Sequence, residues 1–192
     1  MAVLRSDAPE AEKALACKQL AVHGSAAAVP DLATLLDNER LASWARIPLE
    51  AIPDAACDRA LEAAAGRLSG RLLVGVINSL GVRRDASAVP LLAGKLGDAD
   101  AAVVSSAAAA LGHVGNAAAA DPLQKALGST NATTRAAAAE GSVLCAEHLL
   151  AADQSAAATA LYDAVRGADV PRQRIVEATR GAILARGEGG IP

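Results

Sequence analysis

Five apolar segments recur along this chain at similar intervals, and this repetition limits the fold more than any other feature. Each segment contains an anchor leucine, and subtracting the residue numbers gives separations of 29, 31, 31 and 38 residues. A second apolar residue follows each leucine by four positions, and side chains at i and i+4 share one face of a helix. Each pair therefore predicts one buried helix face. The pairs are Leu32 and Leu36, Leu61 and Ala65, Leu92 and Leu96, Leu123 and Leu127, and Leu161 and Val165.

Helix-terminating residues occur at two places in each repeat and divide it into two helices. Glycine suits the position just after a helix, whereas Ser, Asn and Asp suit the N-cap of the next one. Asn131, although it begins a glycosylation sequon, is predicted to be such an N-cap. The first helices are predicted over 8–23, 39–52, 71–81, 99–114, 131–151 and 170–186. The second helices are predicted over 26–36, 54–68, 86–96, 116–127 and 153–166.

The prolines agree with this division. Five of them are predicted to lie in first turns of helices, where the missing N–H costs nothing. These are Pro9, Pro30, Pro90, Pro122 and Pro171. Pro48 is the exception, because it lies inside 39–52 and removes a bond to the carbonyl of Trp44. We expect a kink at this position, with Trp44 packed around it.

The composition favours helices that approach one another closely. Hydrophobic residues make up 53 % of the chain but aromatic residues only 1 %, and alanine supplies much of the apolar content. Alanine is the best helix former, and typical strand formers are sparse here. A core of Ala, Leu and Val cannot fill wide gaps, so we expect helix packed on helix and no sheet.

The segment 88–115, AVPLLAGKLGDADAAVVSSAAAALGHVG, resembles the signature of HEAT-like repeats of the phycobilisome-lyase type. That pattern has an A-V-P-x-L entry, an L-x-D turn, an Ala-rich helix and an A-L-G exit. The segment 28–52 begins in the same way, and 119–145 keeps a proline and the leucine pair but lacks the exit. The resemblance implies an all-α, right-handed α-α superhelix (a HEAT/ARM-like solenoid) of about five helix pairs plus a terminal helix. Residues 1–192 would then form a single domain.

The charge balance argues against nucleic acid as a partner. The net charge is −3, from 18 basic and 21 acidic residues, and neither a basic stripe nor a set of stacking aromatics is present. The N-terminal residues lack the apolar stretch of a signal peptide, and polar residues interrupt every Ala-rich run before it reaches the length of a membrane span. As written, the chain is predicted to be cytoplasmic and free of membrane; as a fragment of an exported protein, its location would be open.

Residues with catalytic or metal-binding potential are few. Cys17, Cys57 and Cys145 are odd in number and far apart, so they are predicted to be buried free thiols rather than disulfides. His23 and His113 fall in the last turns of first helices, where a cation suits the helix dipole. Cys145 and His148 lie one turn apart, but no further ligands stand at a spacing that suits a zinc site. No metal or other cofactor is predicted.

Enzymes of related fold have features that this sequence lacks. Deoxyhypusine hydroxylases resemble the fold but hold iron through several His-Glu pairs, and no His-Glu dipeptide occurs here. HEAT-like alkylpurine DNA glycosylases use a basic face with several aromatic residues, whereas this chain has one Trp and one Tyr. We therefore predict a protein that is not an enzyme.

The last predicted helix, 170–186, has no second helix after it. A solenoid repeat stacks only on its neighbours, so an end without a polar cap leaves apolar surface uncovered. The residues concerned are Ile175, Val176, Ile183 and Leu184. Two hypotheses follow: the sequence is a fragment of a longer multidomain protein, or this uncapped C-terminal helix packs on another chain, which includes self-association.

The resemblance implies that the second helices line the inner, concave surface where HEAT-like proteins bind partners. The predicted partner-binding residues are Asp58, Glu62, Lys95, Lys125, Tyr162 and Arg166. Tyr162 is the preferred anchor, because tyrosine offers apolar area and a hydroxyl at low entropy cost. Acidic residues dominate the early copies and basic residues the later ones. The competing interpretation is that these are solvated helix faces that bind nothing.

The function predicted from the sequence is a non-catalytic protein-interaction scaffold that binds a protein or peptide on the concave face. The alternative is a chromophore-handling protein similar to bilin lyases, which share the repeat signature. A bilin pocket needs aromatic and arginine side chains around a large conjugated ligand. A structural spacer inside a longer polypeptide is a third interpretation.

Overall fold

The computed structural model describes residues 1–187, and all regular secondary structure in that range is helical. Residues 188–192 lie outside the described range. Short 3₁₀ turns occur at Ala26–Ala28 and Ala86–Ala88. The helices are α1 (Ala2–Arg5), α2 (Glu10–His23), α3 (Val29–Thr34), α4 (Ala42–Ala51), α5 (Ala55–Ala65), α6 (Gly70–Arg83), α7 (Val89–Lys95), α8 (Ala101–Val114), α9 (Ala117–Ala126), α10 (Ala132–Ala151), α11 (Ser155–Arg166) and α12 (Arg172–Arg186).

The predicted division into first and second helices is confirmed within residues 1–187. Counting the two 3₁₀ turns, every predicted helix is present, with ends within three residues of those predicted. The short helix α1 was not predicted. The all-α fold class, with helices packed in neighbouring pairs in the manner of HEAT repeats, is therefore established.

Side-chain caps explain where several helices begin. Asp54, Asp100 and Asn116 each accept a hydrogen bond from a backbone N–H in the first turn of the helix that follows. The predicted N-cap Asn131 is confirmed, because its Oδ1 accepts from the N–H of Thr133 at 2.8 Å. Gly115 ends α8 with a φ of 62°, a left-handed conformation that glycine adopts without strain.

Pro30 and Pro90 lie in the first turns of α3 and α7, as predicted. Pro9 and Pro171 lie one position earlier, as the N-cap residues of α2 and α12. Pro122 departs further from the prediction. Pro122 is not in a first turn but is the sixth residue of α9. The alanines at 117–120 are strong helix formers, so the helix begins at the Asn116 cap rather than at the proline. Pro48 lies inside α4 as predicted. Trp44 keeps 39 % of its surface exposed, so packing around that proline covers only part of it.

The anchor residues form the core. All five leucines and the five apolar residues that follow them by four positions are buried, none more than 7 % exposed. The three cysteines are also buried and free, as predicted. None of the helices between residues 1 and 187 combines the length and hydropathy that a bilayer crossing requires.

Contacts divide the chain into two compact units, and each is described by itself. Unit 1 is residues 1–83 and unit 2 begins at Arg84. In unit 1, the first helices pack in the order α2, α4, α6, and the second helices α3 and α5 pack on each other. In unit 2, the first helices pack in the order α8, α10, α12, and the second helices in the order α7, α9, α11. Each unit thus stacks like with like, as HEAT repeats do. That residues 1–192 form a single domain stays a prediction.

Helices α8 and α10 of unit 2 approach closely enough to exclude side chains. A Cβ atom added to Gly141 would lie 2.3 Å from the carbonyl oxygen of Ala108, and one added to Gly112 would lie 2.8 Å from the carbonyl oxygen of Gly141. Buried alanines at 107, 108, 137 and 138 occupy the surrounding positions. The expectation that small residues bring the helices together is confirmed here.

Candidate partner-binding surface

Asp58, predicted to contact a partner, is instead part of a buried ion pair in unit 1. It lies on α5 with only 6 % of its surface exposed. Arg83, the last residue of α6, binds both carboxylate oxygens; its Nη2 donates to Oδ2 at 2.8 Å and its Nε to Oδ1. The sequence could not reveal this pairing, because Arg83 comes from the next first helix, 25 residues away. Asp58 therefore has a structural role, and we no longer include it among the partner-binding residues.

The same guanidinium closes the C-terminal end of α4. Its Nη1 donates to the carbonyl oxygens of Leu49 at 2.8 Å and Ile52 at 2.9 Å, and its Nη2 donates to that of Asp54 at 3.1 Å. The last carbonyls of a helix have no partner within the helix, so a cation here satisfies them and complements the dipole. Arg83 and Asp58 together fix α4, α5 and α6.

Tyr162, the predicted anchor, is also buried. It is 2 % exposed on α11, and its ring lies against Gly181 of α12, where an added Cβ would be 2.3 Å from the ring carbon Cζ. Burial, and secondarily the charge of Glu147, raise the pKa of the Tyr162 hydroxyl to about 12. The prediction of an exposed anchor was wrong because glycine at 181 lets the ring pass beneath α12.

The remaining predicted residues keep some accessibility. Glu62 is half-buried on α5 in unit 1. In unit 2, Lys125 is exposed on α9 and forms no ion pair with a described residue. Lys95 is half-buried and lies 3.9 Å from Asp98, and Arg166 is exposed and pairs with Asp163 at 2.8 Å.

Lys95, Lys125 and Arg166 lie near the C-terminal ends of consecutive second helices, three, two and five positions after their anchor leucines. Each stands in the last turn of its helix, α7, α9 or α11, and these helices pack side by side. One first helix and two turns separate successive second helices, so the chain reverses twice and the three second helices run in the same direction. We call these three residues the basic row. A cation at this position also complements the helix dipole, which is the purely structural explanation.

The cysteines and histidines do not assemble a reactive site. Burial raises the pKa of the Cys145 thiol to about 11, and burial also raises the pKa of Cys17 and of Cys57, which makes thiolates scarce at neutral pH. The rings of His113 and His148 lie 6.4 Å apart. No group of three or more potential metal ligands occurs among residues 1–187.

The uncovered face predicted for α12 is present. Val176, Ile183 and Leu184 are 60 %, 51 % and 62 % exposed, whereas Ile175 is half-buried. Sequence patterns did not single out Glu147 and Arg180, which line a pocket beside this face. Neither carries a motif, and only their position around Tyr162 makes them notable.

Comparison with known families agrees with the geometry. Residues 58–142 match the model of HEAT repeats, a segment that spans the helices from α5 to the first half of α10. No curated protein matches the chain in a sequence search. HEAT repeats generally serve as protein-interaction scaffolds and are typically non-catalytic. The phycobilisome-lyase type stays a prediction, because the match does not distinguish it. Residues 58–142 are therefore similar to HEAT repeats, and the helix pairs on both sides of this segment stack in the same manner.

Proposed function

We propose that the chain is a non-catalytic protein-interaction scaffold, and that the basic row of unit 2 binds an acidic segment of a protein or peptide partner. The observation that supports this is the presence of Lys95, Lys125 and Arg166 in the last turns of three neighbouring second helices. Several cations at neighbouring helix ends complement a segment that carries several carboxylates.

The ion pairs that the residues of the basic row form within the chain are weak or absent, so these cations are available to a partner. Lys125 has no ion pair among the described residues, and the Lys95–Asp98 separation of 3.9 Å is at the limit of an ion pair. The Arg166–Asp163 pair is exposed on both sides, with side-chain exposures of 42 % and 41 %. Exposed pairs of this kind contribute about 0–1 kcal/mol, so a partner carboxylate can compete for the cation. In unit 1, we retain Glu62 as a proposed contact with the partner and no longer propose Asp58 as one.

A charge-matched pair of variants tests the basic row. Capture on the immobilised chain, from a lysate of the encoding organism, identifies the partner, and titration calorimetry then measures its affinity. The Lys95→Gln/Lys125→Gln/Arg166→Gln variant should bind about tenfold or more weakly, because three charged contacts of about 0.5–1 kcal/mol each are removed.

The matched control is Lys18→Gln/Arg71→Gln/Arg172→Gln, which removes three exposed cations from first helices and changes the net charge equally. It should retain affinity within about twofold, since distant exposed charges are screened. Equal weakening by both variants would reduce the effect to net charge, and equal retention would remove the basic row from the function.

The bilin-lyase-like alternative has its own measurement. A chromophore held in a pocket changes its absorbance spectrum, so mixing the protein with a bilin and recording the visible spectrum tests it directly. A partner-binding scaffold leaves the spectrum of the free pigment unchanged. Cytoplasmic location remains a prediction from the sequence.

A further inference from the structure

Unit 2 contains a pocket between α10, α11 and α12. No residue of the basic row lines this pocket. Its cavity volume is about 460 Å³. The aliphatic part of the wall comes from Leu150 of α10 and Leu184 of α12, and the polar part from Glu147, Tyr162, Glu177 and Arg180. A narrow site with aliphatic walls and a few converging polar groups is typical of ligand recognition rather than of helix packing alone.

Tyr162 gives this pocket a polar group without a partner. The side chain is 2 % exposed, and its hydroxyl makes no hydrogen bond with any residue in the range 1–187. Because Gly181 and α12 cover the ring, its small accessible part faces the pocket. The hydroxyl oxygen itself retains contact with solvent, because Ser142 Oγ is the one fully buried side-chain oxygen or nitrogen without a partner among residues 1–187. The hydroxyl is therefore open to a hydrogen bond with a ligand in the pocket.

The charges around the pocket favour a cation. Glu147 is exposed on α10 and has no ion pair among the described residues, and its negative charge reaches the hydroxyl, where it adds to the rise in the pKa of Tyr162. Glu177 is held by Arg174 at 2.7 Å and by Gln173 at 3.0 Å, so its charge is partly compensated. Arg180 is exposed and also borders the outer face of α12 beside Val176 and Ile183, which places it at the rim.

We propose that this pocket binds a primary ammonium group on an aliphatic chain, which in a protein partner is the side chain of a lysine. The ammonium donates to a carboxylate oxygen of Glu147 and to the hydroxyl oxygen of Tyr162. The methylene groups of the chain pack against Leu150 and Leu184. Lysine matches this arrangement because it combines three rotatable N–H donors with a flexible apolar stem. The pocket is separate from the basic row, so this assignment stands or falls independently of the proposed function.

Tyr162 is the sole tyrosine of the chain, so its ring signals in NMR spectra of ring-labelled protein report on this pocket without ambiguity. Three probes of equal length separate charge from hydrophobicity: n-butylammonium, which is the lysine side chain without its backbone, butyrate and butan-1-ol. Titration with n-butylammonium should shift the Tyr162 signals in a saturable manner and at lower concentration than either of the other probes.

Variants then identify the groups involved. Glu147→Gln should weaken n-butylammonium binding by about three- to fivefold, the contribution of one exposed ion pair. Glu12→Gln, which removes an exposed and unpaired glutamate from unit 1, is the matched control and should leave the titration unchanged. Arg180→Gln should leave binding intact or strengthen it, because it removes a like charge. Because Glu147 is exposed, its substitution leaves the fold in place, and an unchanged far-UV circular dichroism spectrum of the free variant verifies this.

Three results would overturn the assignment. They are a lower saturating concentration for butyrate than for n-butylammonium, no saturable shift with n-butylammonium, and equal titrations of Glu147→Gln and Glu12→Gln. Failure of the basic-row variants to alter partner binding would leave all three measurements unaffected.

Discussion

The α4–α6 contact of unit 1 and the α8–α10 contact of unit 2 are made by different means. In unit 1 long polar side chains bridge neighbouring helices: Arg83 joins α6 to α5 and to the end of α4, and Arg46 of α4 donates to the carbonyl oxygen of Gly75 in α6 at 2.8 Å. In unit 2 the backbones of α8 and α10 meet at Gly112 and Gly141, with no room for a side chain between them. Both are ways of joining helices in a chain that has almost no aromatic side chains to fill gaps.

The two solutions have opposite requirements. A polar bridge needs each buried group to keep its partner, because an orphaned charge or carbonyl costs far more than the bridge contributes. Close backbone packing requires that no side chain lie between the two helices. An added methyl group is therefore more harmful there than a lost one. Each solution should therefore be most sensitive to its own kind of substitution, and three sets of variants test this.

Removal of the arginine bridge in unit 1 should have the largest effect. Arg83→Met keeps much of the apolar volume but leaves Asp58 buried without a counter-charge, which should lower the free energy of unfolding by about 3–5 kcal/mol. Trp44 lies in unit 1, and its fluorescence during urea denaturation provides the measurement. The control is Arg71→Met, whose pair with Glu39 is largely exposed, at 79 % and 77 %.

A second variant separates lost pairing from lost packing. Asp58→Asn combined with Arg83→Met should recover part of the stability lost in Arg83→Met alone, because it removes the orphaned charge. If the double variant is as unstable as the sum of the two single variants, Asp58 and Arg83 do not act as a pair.

Addition of one methyl group in unit 2 should come next in size. The Cβ of Gly141→Ala would lie 2.3 Å from a backbone oxygen of α8, so the helices must separate, and we expect a loss of about 2–3 kcal/mol. Far-UV circular dichroism during urea denaturation measures it. Gly94→Ala is the matched control, since no atom lies within 4 Å of the added Cβ in α7. It should be neutral or gain about 0.5–1 kcal/mol from helix propensity. Equal effects at the two glycines would contradict close packing of α8 on α10.

The smallest effects should differ in sign between the units. Ser79 of unit 1 is buried and its hydroxyl donates to Glu50 Oε1 at 2.5 Å, so Ser79→Ala should cost about 1–2 kcal/mol. Ser142 of unit 2 is equally buried, but its hydroxyl has no hydrogen-bond partner among the described residues. Ser142→Ala should therefore stabilise the protein by about 1 kcal/mol.

Urea denaturation of both serine variants measures the change in the free energy of unfolding and shows whether its sign differs between the units. Ser105→Ala, an exposed position on α8, corrects for the difference in helix propensity between serine and alanine. Destabilisation by Ser142→Ala to the same extent as Ser79→Ala would mean that the hydroxyl of Ser142 is satisfied, and the contrast between the units would disappear.

Local patterns in the sequence predicted the helices and the core well. Leu32, Leu61 and Leu92 each recur with an apolar residue one turn later, and such i, i+4 pairs report directly on a buried helix face. Caps such as Asn131 act on N–H groups two or three residues away, which also makes them visible in sequence. Pro122 was misplaced because propensity in the alanines before it outweighed the preference of proline for a first turn.

The surface was harder to predict, because its residues are defined by partners far along the chain. Asp58 lies three positions before Leu61, on the buried face of α5, but no nearby residue in the sequence indicates that Arg83 is its partner. Tyr162 is buried only because residue 181 is a glycine. The pocket residues Glu147 and Arg180 come from different helices and belong to no motif, so their proximity to Tyr162 is a property of the packing of α10, α11 and α12.

Each unit contains at least one buried free cysteine, whose chemical modification can report on the opening of that unit. Cys17 and Cys57 lie in unit 1 and Cys145 in unit 2, and all three are 0 % exposed. An alkylating reagent can reach such a thiol only while the surrounding helices are open, so its rate of modification follows the opening equilibrium of that unit. Mass-resolved labelling of the wild-type chain would thus time the opening of each half separately, with no engineered probe.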